Sequence, residues 1–227
     1  MIEKIAELGL ILASSFGALK GPIGNINVCS IELHSYSTGN IVWNSFPDPN
    51  NLGGFYDVSL DNITGHSYIV IRNLTNSQMT IGHYPLPSYG SITLGLWPGI
   101  ATGSYRDGVH YYYEGYKFSY EAYRPNDDYF ISSNIILARF NTMSDFINSK
   151  NDTYGLFSYN CVDFAKDVWN SATGQSIIGN TTFAGLIDVP LYLRDVLINN
   201  YGATLNTSYL NSSQFAKYYD GSIHYFN

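Results

Sequence analysis

Hydrophobic and polar positions alternate through much of the first half of the chain. In the second half, hydrophobic residues recur with a longer period. Alternation rich in β-branched and aromatic residues predicts strands within residues 25–43, over 66–72 (HSYIVIR) and over 91–99 (SITLGLWPG). Residues 78–84 (QMTIGHY) follow the turn-like segment NLTN, so they are expected to return beside 66–72 as a β-hairpin. The pattern thus places most of the strands before the helices.

The longer period predicts three amphipathic helices. Residues 135–147 repeat at helical spacing, and Ser132 or Ser133 is the expected N-cap. A second helix is expected over residues 161–174, where it ends at a glycine. A third is expected over residues 190–202, because it opens on a proline, which is favoured at the first helical position, and ends at a glycine.

Two further helices are expected at the ends of the chain, over residues 2–12 and 212–219. The apolar run of residues 8–19 is too short and too rich in Gly and Ser to span a bilayer. Glu3 and Glu7 stand where a secretory signal peptide needs positive charge. We therefore expect an N-terminal packing helix, no signal peptide and no transmembrane segment.

Composition and the order of the predicted elements indicate the fold class, and the net charge argues against nucleic acid as a partner. The 227 residues are 45% hydrophobic, enough for a sizeable core, and the order helix, strands, helices predicts an α+β fold. One domain is expected, with residues 1–60 as elaboration, 61–202 as the core and 203–227 as a C-terminal extension. A net charge of −7 without a basic stripe argues against nucleic acid. No metal or cofactor motif occurs, and Asp127 with Asp128 predicts a solvated turn.

Cys161 is the first candidate for chemistry, because it stands at the start of the second predicted helix. Asn160 is a strong N-cap type and Asp163 lies in the first turn. The positive end of a helix favours thiolate over thiol, and its N–H groups can bind an oxyanion. The structural alternative is a small apolar residue at a helix start. Cys29 and Cys161 are interpreted as two thiols rather than as a disulfide.

His66 is the candidate base, since it opens an apolar strand directly after Gly65. An imidazole at the start of a rigid strand suits Cys–His chemistry, in which it takes the thiol proton and later protonates a leaving amine. The alternative is an ordinary surface histidine. His224 is a rival base, but only three residues follow it, which leaves too little chain for a further strand.

Together these segments resemble a known family. GHSYIVI, TIGHYPL and LGLWPG, followed by YGLFSYNCVDFAKDVWN, are similar to the circularly permuted branch of the NlpC/P60 papain-like hydrolases. The resemblance covers about residues 65–170. It implies a papain-like core, with an antiparallel sheet packed against helices and the histidine strand before the cysteine helix. It also implies Cys161 as nucleophile and His66 as base.

His83, in TIGHYP, is the candidate for a third group that orients the base. If the predicted hairpin turns at Leu74 and Thr75, His83 lies across from His66 on one face. A register shift of one residue would place it on the other face. Asp61 or a backbone carbonyl is the alternative.

The resemblance also implies a function. Many relatives cut amide bonds in peptidoglycan peptides, and some are antibacterial toxins delivered by type VI secretion. The expectation is a cysteine amidase or endopeptidase acting on peptidoglycan stem peptides, with neither cofactor nor metal. It would leave a bacterium without a signal peptide, act in the periplasm of a target cell and need an immunity protein in its producer. Two alternatives stay open: a lipid acyltransferase or thioesterase on the same fold, and a catalytically inert binding module.

Overall fold

A computed structural model gives the arrangement of most of the chain. The residues it describes are 26–37, 42–47, 55–59, 65–82, 84–97, 108–111, 125–150, 154–155, 158–183, 187–207, 216–219 and 222–225. The helix predicted over residues 2–12 lies outside these ranges.

The described ranges contain fourteen strands and three helices. The strands are β1 (Asn27–Ser37), β2 (Val42–Pro47), β3 (Phe55–Ser59), β4 (Gly65–Asn73), β5 (Met79–Ile81), β6 (Tyr84–Leu86), β7 (Ser91–Trp97), β8 (Gly108–Tyr111), β9 (Tyr129–Ile136), β10 (Thr182–Phe183), β11 (Ile187–Asp188), β12 (Thr204–Leu205), β13 (Ala216–Tyr219) and β14 (Ser222–Tyr225). The helices are α1 (Leu137–Asn148), α2 (Cys161–Thr173) and α3 (Pro190–Tyr201).

Six of these strands form one antiparallel sheet in the order β12-β9-β1-β4-β7-β8. In the central pair, β1 and β4, Leu33 lies opposite Ile69 and Tyr36 lies opposite His66. The predicted α+β class is thus confirmed, with an antiparallel sheet and three helices. None of the helices in the described part of the chain is long and apolar enough to cross a membrane.

The hydrophobic core lies between the sheet and the three helices. Alternate residues of the strands point to this side, as expected for a side-chain period of two. Burial of each large apolar side chain there contributes roughly 1.5–3 kcal/mol. The largest fully buried members of the core are Phe164, Ile31, Leu33, Ile69, Ile71, Ile81, Leu86 and Ile92.

Both later helices begin and end as their sequences predicted. α2 ends at Gly174, whose φ of 74° is the left-handed conformation that glycine adopts without strain. α3 opens on Pro190 and ends at Gly202, which has a φ of 64°.

The predicted hairpin between residues 66–72 and 78–84 is wrong. β4 pairs with β7 on that side, and the short β5 pairs with β6 instead. The side chain of Asn73 explains the loop, since its amide donates to the carbonyls of Ser77 (2.7 Å) and Pro87 (2.9 Å). These bonds hold the loop after β4 in place. The strand that pairs with β4 on this side is β7, whose seven residues are all buried.

Two helix predictions are also wrong. Ser132 and Ser133 do not cap α1, because both lie in β9, where they pair with β1; the N-cap residue is Ile136, without a side-chain cap. Strand pairing outweighs their capping preference. Residues 216–219, expected in a last helix, form β13 and pair with β14. The Asp-Gly dipeptide between the two strands is a strong hairpin signal that the helical spacing obscured.

Candidate active site

Cys161 is the first residue of α2, and the helix start is closely fixed. The side chain of Asn160 accepts a hydrogen bond from the Val162 N–H at 2.8 Å, and the Asp163 carboxylate accepts one from the Asn160 N–H at 2.9 Å. This reciprocal pair is a capping box. The Asn160 amide also donates to the carbonyl of Asp188 at 2.9 Å. The predicted N-cap is therefore confirmed, and it ties the cysteine to β11 as well.

The Cys161 thiol is buried in this arrangement, with 9% of the residue exposed. Burial raises the pKa of Cys161 to about 12, although backbone hydrogen bonds at Ser67 and in the first turn of α2 favour the thiolate. The negative charge of Asp163 raises the pKa further. The sequence led us to expect a thiolate at this helix start; that expectation is wrong for the conformation described, because desolvation outweighs the helix N-terminus.

His66 is the second residue of β4 and is also buried. Its ring lies against the indole of Trp97, with 3.8 Å between centroids, and nearly parallel to the ring of Tyr68 at 6.1 Å. The next residue, Ser67, bonds Ser35 at 2.8 Å, and Ser35 donates to a carbonyl of α3, so these two serines face the helices. Since successive side chains point to opposite faces, His66 faces away from them.

The structure therefore brings Cys161 to the strand that carries His66 but puts the two side chains on different faces of the sheet. The thiol touches the backbone of Ser67, one residue beyond His66. Among the described residues, no hydrogen bond joins the Cys161 thiol to an imidazole. The pairing of the two residues stays a prediction, and it requires a conformation in which the imidazole reaches the sulfur.

The remaining site candidates can be placed only in part. His83 and Asp61 lie outside the described residues. Tyr159, which directly precedes the N-cap Asn160, donates its hydroxyl to Asp167 at 3.2 Å. Burial and the nearby carboxylate of Asp167 raise its pKa, so Tyr159 is a packed tyrosine with a partner of its own. Cys29 and Cys161 are both free thiols, as the sequence suggested.

Two acidic residues, Asp163 and Asp188, lie beside Cys161; Asp163 was expected in the first turn of the helix, but Asp188 was not predicted there. Burial raises the pKa of Asp163 to about 6, and a hydrogen bond to the Asp188 carboxyl raises it as well. Burial also opposes ionisation of Asp188, but Lys166 at 2.8 Å and the Thr181 hydroxyl at 2.5 Å hold its pKa below the usual value. These contacts fix β11 against the first turns of α2.

A buried charged cluster lies on the sheet face that carries His66. The imidazole of His34 is 3.1 Å from Asp128 through Nδ1 and 3.1 Å from Glu32 through Nε2. Asp128 Oδ2 also accepts hydrogen bonds from the Tyr68 hydroxyl at 2.7 Å and the Asn206 amide at 2.8 Å. We call His34, Glu32, Asp128, Tyr68 and Asn206 the His34 cluster.

The His34 cluster corrects the interpretation of Asp127 and Asp128 as a solvated turn. Asp128 is fully buried, while Asp127 is half-exposed and pairs with Arg194. A signal was present in the sequence, because Glu32 and His34 alternate with the apolar residues Ile31 and Leu33 in the predicted strand. The position of Asp128 opposite them depends on the tertiary fold, which no local pattern reveals.

The chemistry open to the His34 cluster is limited. Burial disfavours the imidazolium, but the Asp128 and Glu32 carboxylates raise the pKa of His34 to about 9, so the ring is charged at neutral pH. In the charged state both ring nitrogens carry a proton and each can donate to the carboxylate that faces it, so no lone pair remains for proton abstraction. Within the described ranges, no three His, Cys, Asp or Glu side chains converge to hold a metal ion. The described contacts make the cluster a buried ion-pair network.

Comparison of the chain with models of protein families, with curated proteins and with solved structures gave no match in any of the three. The resemblance to the NlpC/P60 hydrolases therefore rests on its short motifs.

We expect alkylation of Cys161 to report its burial. A pKa near 12, set against 9.0 for an ordinary thiol, lowers the thiolate fraction at pH 8 on the order of 10³-fold. Iodoacetamide should therefore modify native Cys161 far more slowly than the urea-unfolded protein. The measurement is the alkylation rate against pH in the Cys29→Ala variant, which has Cys161 as its one thiol. A reactive midpoint below about 8.5 would show instead that an imidazole or another donor reaches the sulfur.

Proposed function

We propose that the chain is a cysteine amidase with a circularly permuted papain-like core of the NlpC/P60 kind, acting on peptidoglycan stem peptides. One observation carries the proposal: Cys161 begins a capped helix and is held against the strand that carries His66. The further expectations follow from the resemblance alone. They are an antibacterial toxin that leaves a bacterium without a signal peptide, acts in the target periplasm and is neutralised by an immunity protein.

The proposed reaction starts from the neutral thiol. When the imidazole of His66 reaches the sulfur, it removes the thiol proton as the sulfur attacks the amide carbonyl carbon, forming a C–S bond. The imidazolium then protonates the amine nitrogen as the C–N bond breaks. Water hydrolyses the resulting thioester, which returns the proton to the sulfur and releases the carboxylic acid.

The first turn of α2 supports the oxyanion that forms in this reaction. The Val162 N–H donates to the Asn160 side chain at 2.8 Å and also lies within hydrogen-bond reach of the Cys161 sulfur. The N–H groups of Cys161 and Ser67 lie within hydrogen-bond reach of the sulfur, beside the place where a carbonyl oxygen would become negative. Backbone donors in that position are fixed by the capping box and by the sheet, so they need no reorganisation when the charge develops.

One observation favours a second candidate, a binding module in which Cys161 is inert. The thiol is buried and protonated, and the imidazole faces the other side of the sheet. A structural cysteine at a helix start has these properties.

Bacterial sacculi incubated with the full chain test the two candidates. We expect new peptide termini, separated by chromatography and identified by mass spectrometry, from the parent protein. The Cys161→Ala variant should lose this activity by about 10³-fold or more, as expected when a nucleophile is removed. Cys29→Ala is the matched control, because Cys29 is also buried with a raised pKa and lies in the core of the sheet.

The other outcomes of this experiment each contradict one part of the proposal. Intact sacculi together with Cys161-dependent release of fatty acid from lipid or thioester substrates would assign acyl transfer instead. If neither set of substrates gives a Cys161-dependent product, the binding module is the remaining candidate. Product formation that survives His66→Ala would exclude His66 as the base.

A further inference from the structure

A groove with a volume of about 620 Å³ runs along one face of α3. That volume lies within the range of about 300–1,000 Å³ typical of ligand pockets. The helix contributes residues at the spacing i, i+3, i+4, i+7 and i+8, which places them on one face. These residues are Tyr192, Asp195, Val196, Asn199 and Asn200, and the loop from Gly179 to Thr182 forms the opposite wall.

The loop that forms this wall is fixed to α3 by hydrogen bonds. The Ile178 N–H donates to the Tyr201 hydroxyl at 2.6 Å, and the Asn200 amide donates to the Ile178 carbonyl at 3.0 Å. At the next residue, Gly179, φ is 151° and an added Cβ would lie 2.7 Å from a methyl group of Val196. Only glycine allows the loop to approach the helix this closely.

The groove is therefore formed before any ligand arrives. The Asn180 side chain also accepts hydrogen bonds from the Thr182 N–H at 3.1 Å and the Thr182 hydroxyl at 2.9 Å, which fixes the end of the loop. A preformed wall lowers the entropy cost of binding, because few groups need to be ordered.

The lining of the groove is polar but almost uncharged. Asp195 carries the one carboxylate among the described lining residues, and Arg194 is bonded to that carboxylate at 2.9 Å. No Lys, Arg or His is among the described residues that line the groove, so these residues offer an anionic ligand no countercharge. The side chain of Asn199 is exposed, and neither its amide nor the Tyr192 hydroxyl has a hydrogen-bond partner within the described ranges.

This combination matches the chemistry of a sugar. An amide side chain both donates and accepts hydrogen bonds, as does each hydroxyl of a sugar ring. The half-buried Tyr192 adds an aromatic ring, whose apolar face suits the C–H face of a sugar and whose hydroxyl serves the polar edge. We propose that the α3 groove binds a short neutral oligosaccharide. The site goes beyond the proposed amidase, and no step of its binding needs Cys161.

Calorimetric titration of the full chain with chitotetraose, cellotetraose and maltotetraose tests the proposal. We expect saturable binding of at least one of them with a dissociation constant below about 1 mM. Tyr192→Ala/Asn199→Ala should weaken that binding at least about tenfold. Asn141→Ala is the control, because Asn141 is an exposed asparagine on α1, outside the groove, and it should bind like the parent. Thermal melting of each variant shows that the fold is retained.

Three results would overturn the proposal: no binding of any of the three sugars, equal binding by the double variant, or equal loss of binding in Asn141→Ala. The titration is repeated in the Cys161→Ala protein, where binding should be unchanged. The two proposals are thus tested separately, because amidase activity is measured as peptide product and sugar binding is measured as heat.

Discussion

Asp128→Ala should destabilise the protein by about 3–5 kcal/mol, the cost typical of removing one partner from a buried ion pair. The substitution leaves the buried His34 imidazolium with Glu32 alone. It also removes the acceptor for the Tyr68 hydroxyl and the Asn206 amide, which are 2.7 Å and 2.8 Å from Asp128 Oδ2. Because native proteins are stable by only about 5–15 kcal/mol, this loss is a large fraction of the total free energy of unfolding.

The neighbouring carboxylate provides a matched control for this prediction. Asp127 pairs with Arg194, but both side chains reach solvent, with exposures of 32% and 18%. A pair of this kind contributes about 0–1 kcal/mol, so Asp127→Ala should change stability little. The urea midpoint and slope of each variant give the free energy of unfolding. A difference of less than about 1 kcal/mol between Asp128→Ala and Asp127→Ala would contradict the structural role of the cluster.

Stability should fall as the pH rises from about 6.5 to about 9. His34 has a pKa of about 9 in the folded protein and about 6.5 when unfolded, so in this window the folded state holds a proton that the unfolded state has lost. The stabilisation by the charged His34 imidazole is complete below about pH 6.5 and is lost as the pH rises through about 9. The shift corresponds to about 3 kcal/mol, because each pKa unit represents about 1.36 kcal/mol.

The groups that face His34 determine the shape of this pH dependence. Burial acts against its charge, whereas the carboxylates of Asp128 and Glu32 support it, and Arg72 bonds Glu32 at 3.1 Å. Burial likewise disfavours charge on Glu32, but His34 and Arg72 lower the pKa of Glu32 to about 2. The contribution of ionised Glu32 to the free energy of unfolding is present above about pH 4.5 and is lost as the pH falls towards 2.

Urea unfolding at half-unit intervals between pH 6 and 9.5 measures this dependence. His34→Gln keeps a polar side chain in the cluster but removes the titrating group, so its free energy of unfolding should vary less with pH over this window. A parent protein whose stability is level between pH 7 and 9 would show that His34 is not charged in the folded state. An equal slope in His34→Gln would assign the proton to another group.

The elements whose signals are local were predictable from the sequence. α2 carries its own start and stop signals, with Asn160 and Asp163 at one end and Gly174 at the other, and the structure has all three in those roles. β7 is likewise a strand of seven buried residues, as its β-rich composition predicted. Such elements need little information from distant parts of the chain.

Pairing between elements was harder to predict. The return of residues 78–84 beside 66–72 was a reasonable expectation, but β7 forms the longer ladder with β4.

The same limit applies to the candidate site. Strand alternation places His66 and Ser67 on opposite faces, yet which face receives α2 depends on packing against the whole sheet. The sequence therefore located Cys161 at its helix start without indicating that Ser67 would be its neighbour.

The His34 cluster has a consequence for how the protein opens. Its hydrogen bonds join residues 94, 78 and 60 positions apart, from His34, Asn206 and Tyr68 to Asp128. A local fluctuation of one strand cannot break these bonds without exposing the buried charge of Asp128. We therefore expect the amides of β1, β4 and β9 to exchange with solvent deuterium together, in a single cooperative opening at nearly the full free energy of unfolding. Because such distant contacts are slow to assemble, the same cluster should complete late during refolding.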